Sequence, residues 1–262
     1  MNVVMAIAST TVGEAVRRRV LLIILMIGVL LLSIIPSLSV LSQRSETSTM
    51  ISTMYAVLRF TSALIAIVLT IYMIPDEIQR RTIYTILSKP VQRWQFLLGK
   101  YLGAVFSLAL MILLMSAVMI ILFAIFQKPD AAKLADVAKQ PLFYLIEMSL
   151  LAAVALFFST FTTPLVNFFL SIGLWGIGTV LNPLYSTIAS NPNANHVMQT
   201  VSKVFISILP NFASYDVKNP IINPGQQIQN PTVYLLQVVA YGLIYIGFLI
   251  IGGMLIFERR EV

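Results

Sequence analysis

The chain has 262 residues, of which 58% are hydrophobic and only 10% are charged. A soluble domain carries about 25% charged residues, so this composition excludes an ordinary soluble protein. The formal net charge of +7 comes from lysines and arginines near the ends of long apolar runs, which is typical of a membrane protein and does not indicate nucleic-acid binding.

Residues 2–18 precede the first long apolar run. Apolar or small side chains recur there at helical spacing: Val4, Ile7, Ala8, Thr11, Val12 and Ala15. This pattern predicts an amphipathic helix lying in the membrane interface, and a frayed extension of the first span is the alternative. We expect no cleavable signal peptide, because the first apolar run begins only after Arg17, Arg18 and Arg19 and is too long for a signal core.

Six apolar runs follow, and each approaches the roughly 20 residues that a helical span needs. They lie at about 20–41, 52–75, 98–126, 142–161, 165–188 and 233–257, with a start near Trp94 as the alternative for the third. Pro164 marks a tight turn between the fourth and fifth runs, because proline disfavours helix at the residue before it. The predicted fold class is therefore all-α: a polytopic membrane protein with six transmembrane helices and an N-terminal interfacial elbow helix, forming one domain over residues 1–262.

Lysine and arginine near the span ends set the predicted orientation. With the N-terminus inside, ten basic residues fall in cytoplasmic segments and six in outer segments. We therefore expect an integral membrane protein with both termini in the cytoplasm. The expected location is a bacterial or archaeal plasma membrane. The outer loop 189–232 is the longest segment between spans, and a short amphipathic helix is expected at 197–208, where Val197, Val201, Val204, Phe205 and Ile208 share one helical face.

The cytoplasmic segment 76–97 lies between the second and third predicted spans. It combines basic residues with apolar ones: Arg80, Arg81, Lys89 and Arg93 with Tyr84, Leu87 and Val91. Aromatic and arginine side chains are favoured at the energetic centres of protein interfaces. The segment is therefore predicted to dock a soluble partner, and binding to anionic lipid headgroups alone is the alternative.

Motifs for catalysis or nucleotide binding are missing from the sequence. Gly99-Lys100 lacks the glycine five positions earlier that a phosphate-binding loop requires, since Trp94 stands there. The chain has one histidine, His196, and no cysteine, whereas metal sites usually need three or four ligands. We expect no catalytic residue, no metal and no cofactor in this chain, so ATP-driven work would need another subunit.

Arg59 and Glu147 are the two charged residues that fall inside predicted spans. Arg59 lies 17 residues before Asp76, which is about 25 Å along a helix, near the outer edge of a hydrocarbon core about 30 Å thick. Two interpretations stay open: the charges reach the membrane surface, or they pair or face a substrate path. If they pair, substituting either by leucine should lower stability, and substituting both should recover much of the loss.

The loop sequence EIQRRTIYTILSKPVQRWQFLLGKYLG resembles the cytoplasmic loop of ABC-2 type transporter permeases. The family pattern has an acidic residue, a threonine-containing turn, a short amphipathic helix, a Ser-x-Pro-Val-x-Arg motif and a Gly-Lys pair. Here the corresponding residues are Glu77, Thr82, Ile83 to Leu87, Ser88-Lys89-Pro90-Val91-Gln92-Arg93 and Gly99-Lys100. Arg81 departs from the pattern, because many members have glycine before the loop threonine.

Two further stretches resemble the same family. The ending Phe257-Glu258-Arg259-Arg260-Glu261 is similar to its terminal aromatic-x-Arg-Arg-acidic pattern. Leu209-Pro210-Asn211-Phe212 recurs in members with small outer loops.

The resemblance implies a permease subunit of an ATP-binding cassette transporter, an exporter driven by a separate ATPase. That ATPase would dock on the loop 76–97, called the coupling helix in the family, and would carry the ATP and Mg²⁺. The implied partners are this ATPase, a second permease copy or paralogue in a dimer, and membrane lipid, with no nucleic acid. The alternatives are a secondary transporter or channel, which polar residues at the membrane midplane would favour, and a membrane assembly subunit without transport.

Overall fold

The computed structural model describes residues 3–41, 47–79, 92–189, 200, 209–217 and 231–259. All regular elements in these ranges are helical and none is a strand. The α-helices are α1 Val3–Arg17, α2 Arg19–Leu41, α3 Thr47–Ile71, α4 Met73–Gln79, α5 Arg93–Gln127, α6 Ala131–Ser159, α7 Pro164–Ala189 and α8 Pro231–Arg259, with a 3-10 turn at Ala213–Tyr215. The predicted all-α class is confirmed.

Five stretches of the described chain are long and apolar enough to cross a membrane. They are Arg19–Ser37, Ser48–Ile78, Arg93–Gln127, Ala131–Ser159 and Thr232–Glu258. In α7 the apolar part is shorter, Pro164–Val180, so the sixth span stays a prediction. The amphipathic helix predicted at 197–208 lies outside the described residues apart from Thr200.

Helices α5 and α6 begin earlier than the apolar runs that predicted them. Helix α5 starts at Arg93, beside the alternative start at Trp94 and before residue 98, and α6 starts at Ala131 rather than near residue 142. Hydropathy detects only the apolar part of a helix, whereas the first turns of α6 are polar and carry an exposed Asp136–Lys139 ion pair of 2.9 Å. The predicted outer loop between the third and fourth spans is therefore mostly helical.

Helices α3 and α6 form the centre of the bundle. Most of α6 is buried, from Tyr144 through Leu156, and it contacts α3, α5, α7 and α8. Small residues such as Ala152 and Ala155 allow close helix approach without large side chains between the axes. By contrast, α2 and α8 leave large apolar side chains exposed, including Met26 and Phe248, as expected for surfaces in contact with lipid.

The N-terminal helix α1 packs along the first turns of α5. A Cβ atom at Gly103 would lie 2.5 Å from Thr11 Cβ, and one at Gly99 would lie 2.8 Å from Ile7 Cβ. The two glycines therefore allow α1 to approach the α5 backbone directly, and α1 buries Ala8, Thr11 and Ala15. A helix is found where the amphipathic pattern predicted one, and its position in the membrane interface stays a prediction.

Candidate functional site

The structure describes the two ends of the predicted docking segment. Glu77 lies in α4 and Arg93 starts α5. The remaining predicted docking residues lie outside the described residues: Arg80, Arg81, Thr82, Ile83, Tyr84, Leu87, Ser88, Lys89, Pro90 and Val91. The contacts made by the ends decide how the segment is joined to the bundle.

Lys100 connects the leading end of the segment to two other helices. Its Nζ donates to Glu77 Oε1 at 2.7 Å and to Glu14 Oε2 at 3.3 Å. The Lys100 side chain is 5% exposed, whereas that of Glu14 is 54% exposed. One buried ammonium therefore joins α4, α5 and α1.

Arg18 makes a second connection, at the single non-helical residue between α1 and α2. Its guanidinium donates to Asp76 Oδ2 at 2.8 Å and lies 6.0 Å from the centre of the Tyr72 ring. Both partners of this ion pair are about one-third exposed. The residue preceding Glu77 is thus tied to the junction of the first two helices.

Arg93 holds the trailing end of the segment against the last helix. It donates to the carbonyl oxygens of Phe257 at 3.0 Å and of Glu258 at 3.1 Å. Carbonyls in the last turn of a helix lack intrahelical donors and carry partial negative charge, so a guanidinium stabilises them. Phe96 stacks on Phe257 with ring centroids 6.3 Å apart, which adds an apolar contact beside the charged one.

We name this set of contacts the docking frame. It comprises Glu14, Arg18, Asp76, Glu77, Arg93, Lys100 and Phe257. The frame joins both ends of the predicted docking segment to α1, α5 and α8. Of the predicted docking residues, Glu77 and Arg93 belong to it.

A second charged region surrounds Arg59 in α3. Arg59 precedes Asp76 by 17 residues, which is about 25 Å at 1.5 Å per helical residue. Arg59 donates through Nε and NH2 to Glu147 at 3.0 and 2.6 Å, and through NH1 to Asp216 Oδ2 at 3.2 Å. The side chains of Arg59, Glu147 and Asp216 are 6%, 0% and 1% exposed. Arg59 and Glu147, which the sequence left either exposed or paired, therefore form a buried ion pair that a second carboxylate joins.

Polar side chains from α6 and α7 complete this buried cluster. Tyr144 donates to Asp216 Oδ1 at 2.7 Å, and Trp175 Nε1 donates to Glu147 Oε1 at 2.9 Å. Arg59 NH2 also donates to the carbonyl of Phe212 at 3.0 Å. No sequence motif pointed to Asp216, Tyr144 or Trp175, and the one signal near Asp216 was the Leu-Pro-Asn-Phe stretch shortly before it.

The segment 209–217 closes the bundle beside the cluster. Phe212 N–H donates to the carbonyl of Gly178 at 3.2 Å, and a Cβ at Gly178 would lie 2.5 Å from Pro210 O. Gln140 Nε2 donates to Tyr215 O at 2.8 Å. Burial raises the pKa of the Tyr215 hydroxyl, so this group stays neutral. Residues 209–217, which belong to the predicted outer loop 189–232, are therefore packed against the bundle.

The described residues contain no group of three histidine, cysteine or acidic side chains placed to hold a metal ion. Their chemistry is instead that of ion pairing, in a partly exposed docking frame around α4 and in a buried cluster around Arg59 of α3. Together with the apolar helices, these features define a helical integral membrane protein.

Comparison with known proteins gives the family. No curated protein matches the chain. Residues 5–262 match the family described as ABC-2 family transporter protein. The chain belongs to that family, and it is a membrane-spanning permease subunit of an ABC transporter. The resemblance seen in the cytoplasmic loop is confirmed.

Proposed function

We propose that this chain is the permease subunit of an ABC-2 type exporter, driven by a separate ATPase subunit that docks on the segment 76–97. The observation that carries the proposal is the docking frame. Asp76 and Glu77 tie one end of the segment to Arg18 and Lys100, and Arg93 ties the other end to the C-terminal turn of α8. A loop that only connects two helices needs no such attachment at both ends.

The docking frame connects the segment mechanically to three helices, α1, α5 and α8. Movement of the segment would act through Lys100 on α5 and α1, and through Arg93 on α8, because these contacts are short and charge-assisted. Rigid helices with packed side chains carry such displacement over tens of ångströms. ATP-driven closure of two ATPase subunits would thereby rock two permease copies, or a permease and its paralogue, and open a path between them.

The composition of the segment defines the partner surface. Its apolar residues need a hydrophobic groove, and its basic residues outside the docking frame, Arg80, Arg81 and Lys89, need carboxylates around that groove. ATP and Mg²⁺ would be held by the partner, since no phosphate-binding loop occurs in this chain. Export as the direction rests on the family resemblance.

Co-purification tests the proposal. The tagged chain is co-expressed with the ABC ATPase encoded nearest to its gene, purified in detergent and assayed for bound ATPase and for ATP hydrolysis. We expect co-purification with the wild-type chain, hydrolysis stimulated by it, and none from the chain alone. Tyr84→Asp and Leu87→Asp should each abolish co-purification, because a charge placed in an apolar anchor site costs several kcal/mol.

Thr85→Asp is the matched control, since it adds the same charge within the segment at a residue outside the predicted anchors. It should retain the ATPase. Wild-type yields of ATPase with both anchor variants would place the docking surface elsewhere. Hydrolysis by the isolated chain, free of contaminating ATPase, would contradict the permease assignment.

A further inference from the structure

A cleft of about 550 Å³ lies between α2, α3 and α7, next to the junction of α1 and α2. Its walls are apolar: Val20, Leu21, Val68, Ile71, Leu165 and Phe168 line it, with Pro164 at the start of α7. Arg18, Arg19 and Tyr72 also line it. Binding sites for small molecules typically measure about 300–1,000 Å³, so this cleft is large enough for part of a lipid.

Positive charge exceeds negative charge at the edge of the cleft. Arg18 is paired with Asp76 at 2.8 Å, which offsets one of the two arginines. Arg19 is exposed, and it forms no ion pair with any residue in the described part of the chain. Two arginines against one carboxylate leave a positive charge at the edge of an apolar cleft.

We propose that this cleft binds one anionic phospholipid, with its phosphate at Arg19 and Arg18 and an acyl chain between α2, α3 and α7. Basic pockets between membrane helices on the cytoplasmic side bind anionic headgroups, and the predicted orientation places Arg19 on that side. Tyr72, an aromatic residue of the kind enriched at the membrane surface, stands beside the arginines. The apolar walls select a lipid over a free phosphate ion, because they offer no polar partner for an ion beyond the edge.

A lipid bound in this cleft would lie next to the docking frame. Arg18 would contact both the lipid phosphate and Asp76, the residue before Glu77 in the frame. Lipid bound here would therefore act on the leading end of the docking segment. This site does not depend on the identity of the docked ATPase, and its test is separate from that of the proposed function.

The test measures lipid binding to the purified full-length chain by native mass spectrometry. Dioleoyl phosphatidylglycerol and dioleoyl phosphatidylcholine are compared, since they differ in net headgroup charge and share acyl chains. We expect the wild-type chain to favour the anionic lipid, and Arg19→Gln to weaken its binding about fivefold, since one surface arginine contributes about that much. Arg17→Gln removes the same charge from the end of α1, outside the cleft, and should leave the preference unchanged.

A second pair of variants tests the position of the acyl chain. Leu165→Trp fills the cleft and should reduce binding of both lipids, whereas Phe169→Trp, on the same helix outside the cleft, should not. Leu165 and Phe169 are 70% and 64% exposed, so both variants should fold. A third arm adds inorganic phosphate in large molar excess over lipid at constant ionic strength, and it should not displace the lipid.

Three results would overturn the proposal. Equal losses with Arg17→Gln and Arg19→Gln would show a diffuse surface charge effect. Unchanged binding with Leu165→Trp would show that the lipid lies outside the cleft. Displacement by inorganic phosphate would show a site for free anions.

Discussion

The two charged regions of this molecule use the same residue types in different surroundings. In the docking frame, the Arg18–Asp76 pair is 31% exposed on both sides and Glu14 is 54% exposed. In the buried cluster, no side chain of the Arg59, Glu147 and Asp216 set is more than 6% exposed. Water can replace the lost partner of Arg18, Asp76 or Glu14, and it cannot do so in the cluster.

This difference in exposure gives the docking frame and the buried cluster different mechanical roles. Exposed ion pairs contribute about 0–1 kcal/mol and rearrange easily, whereas removing one partner of a buried pair costs about 3–5 kcal/mol. The exposed pair Arg18–Asp76 and the contact from Lys100 to exposed Glu14 can therefore change when a partner binds. The Lys100–Glu77 pair, with side chains 5% and 14% exposed, stays in place and keeps the segment attached. The cluster holds α3, α6, α7 and the segment 209–217 in a fixed arrangement.

The largest effect is expected for Arg59→Leu. This change leaves both Glu147 and Asp216 buried without their shared cation, and the free energy of unfolding should fall by about 3–5 kcal/mol. Thermal unfolding of the purified chain in detergent measures the effect. Arg17→Leu, which removes an exposed arginine outside the lipid cleft, serves as the control and should change stability by less than about 0.5 kcal/mol. Equal stability of the two variants would contradict the claim that the buried cluster contributes more to stability than an exposed arginine does.

Glu147→Leu should lower the free energy of unfolding by less than Arg59→Leu does, because Arg59 keeps Asp216 as a partner at 3.2 Å. The double variant Arg59→Leu/Glu147→Leu should regain only part of the loss, since Asp216 then lies buried without Arg59. Adding Asp216→Asn should regain more. The same thermal unfolding assay measures this series, and strictly additive losses would show that the three residues do not interact.

Gly103→Ala tests how α1, which carries Glu14, is positioned. The added Cβ would overlap Thr11, whose Cβ lies 2.5 Å away, and overpacking of this kind costs about 1–3 kcal/mol. Gly13→Ala is the control: nothing lies within 4 Å of a Cβ there, and alanine in a helix is favoured over glycine by about 0.5–1 kcal/mol. The unfolding midpoints of the two variants should move in opposite directions, and a shared direction would contradict the close packing of α1 on α5.

Asp76→Asn should give the smallest effect, at most about 1 kcal/mol, because the Arg18–Asp76 pair is partly exposed. Salt should reduce this effect further, since exposed charges are screened over about 10 Å at 0.1 M ionic strength. Unfolding midpoints measured at low and high sodium chloride give the comparison. The loss caused by Glu147→Leu should hardly change with salt, and an equal salt dependence of both variants would argue against burial of the cluster.

The sequence by itself determined the all-α membrane class and the family, and it located the basic segment that is predicted to dock a partner. These properties follow from local signals: apolar runs of span length, basic residues beside them, and a contiguous motif from Glu77 to Lys100. The turn predicted at Pro164 was equally local. Helix bounds were less well predicted, because the polar first turns of α6 carry no hydropathy signal.

Only the tertiary structure decided the partners of Arg59. Asp216 lies 157 residues away in the chain, in a stretch that hydropathy assigns to the outer loop, and no local pattern connects the two. The same holds for the bond from Arg93 to the end of α8, which spans 164 residues. A charge in an apolar run shows that a partner is needed, because an unpaired charge is costly there. Which residue supplies that partner depends on how the helices pack.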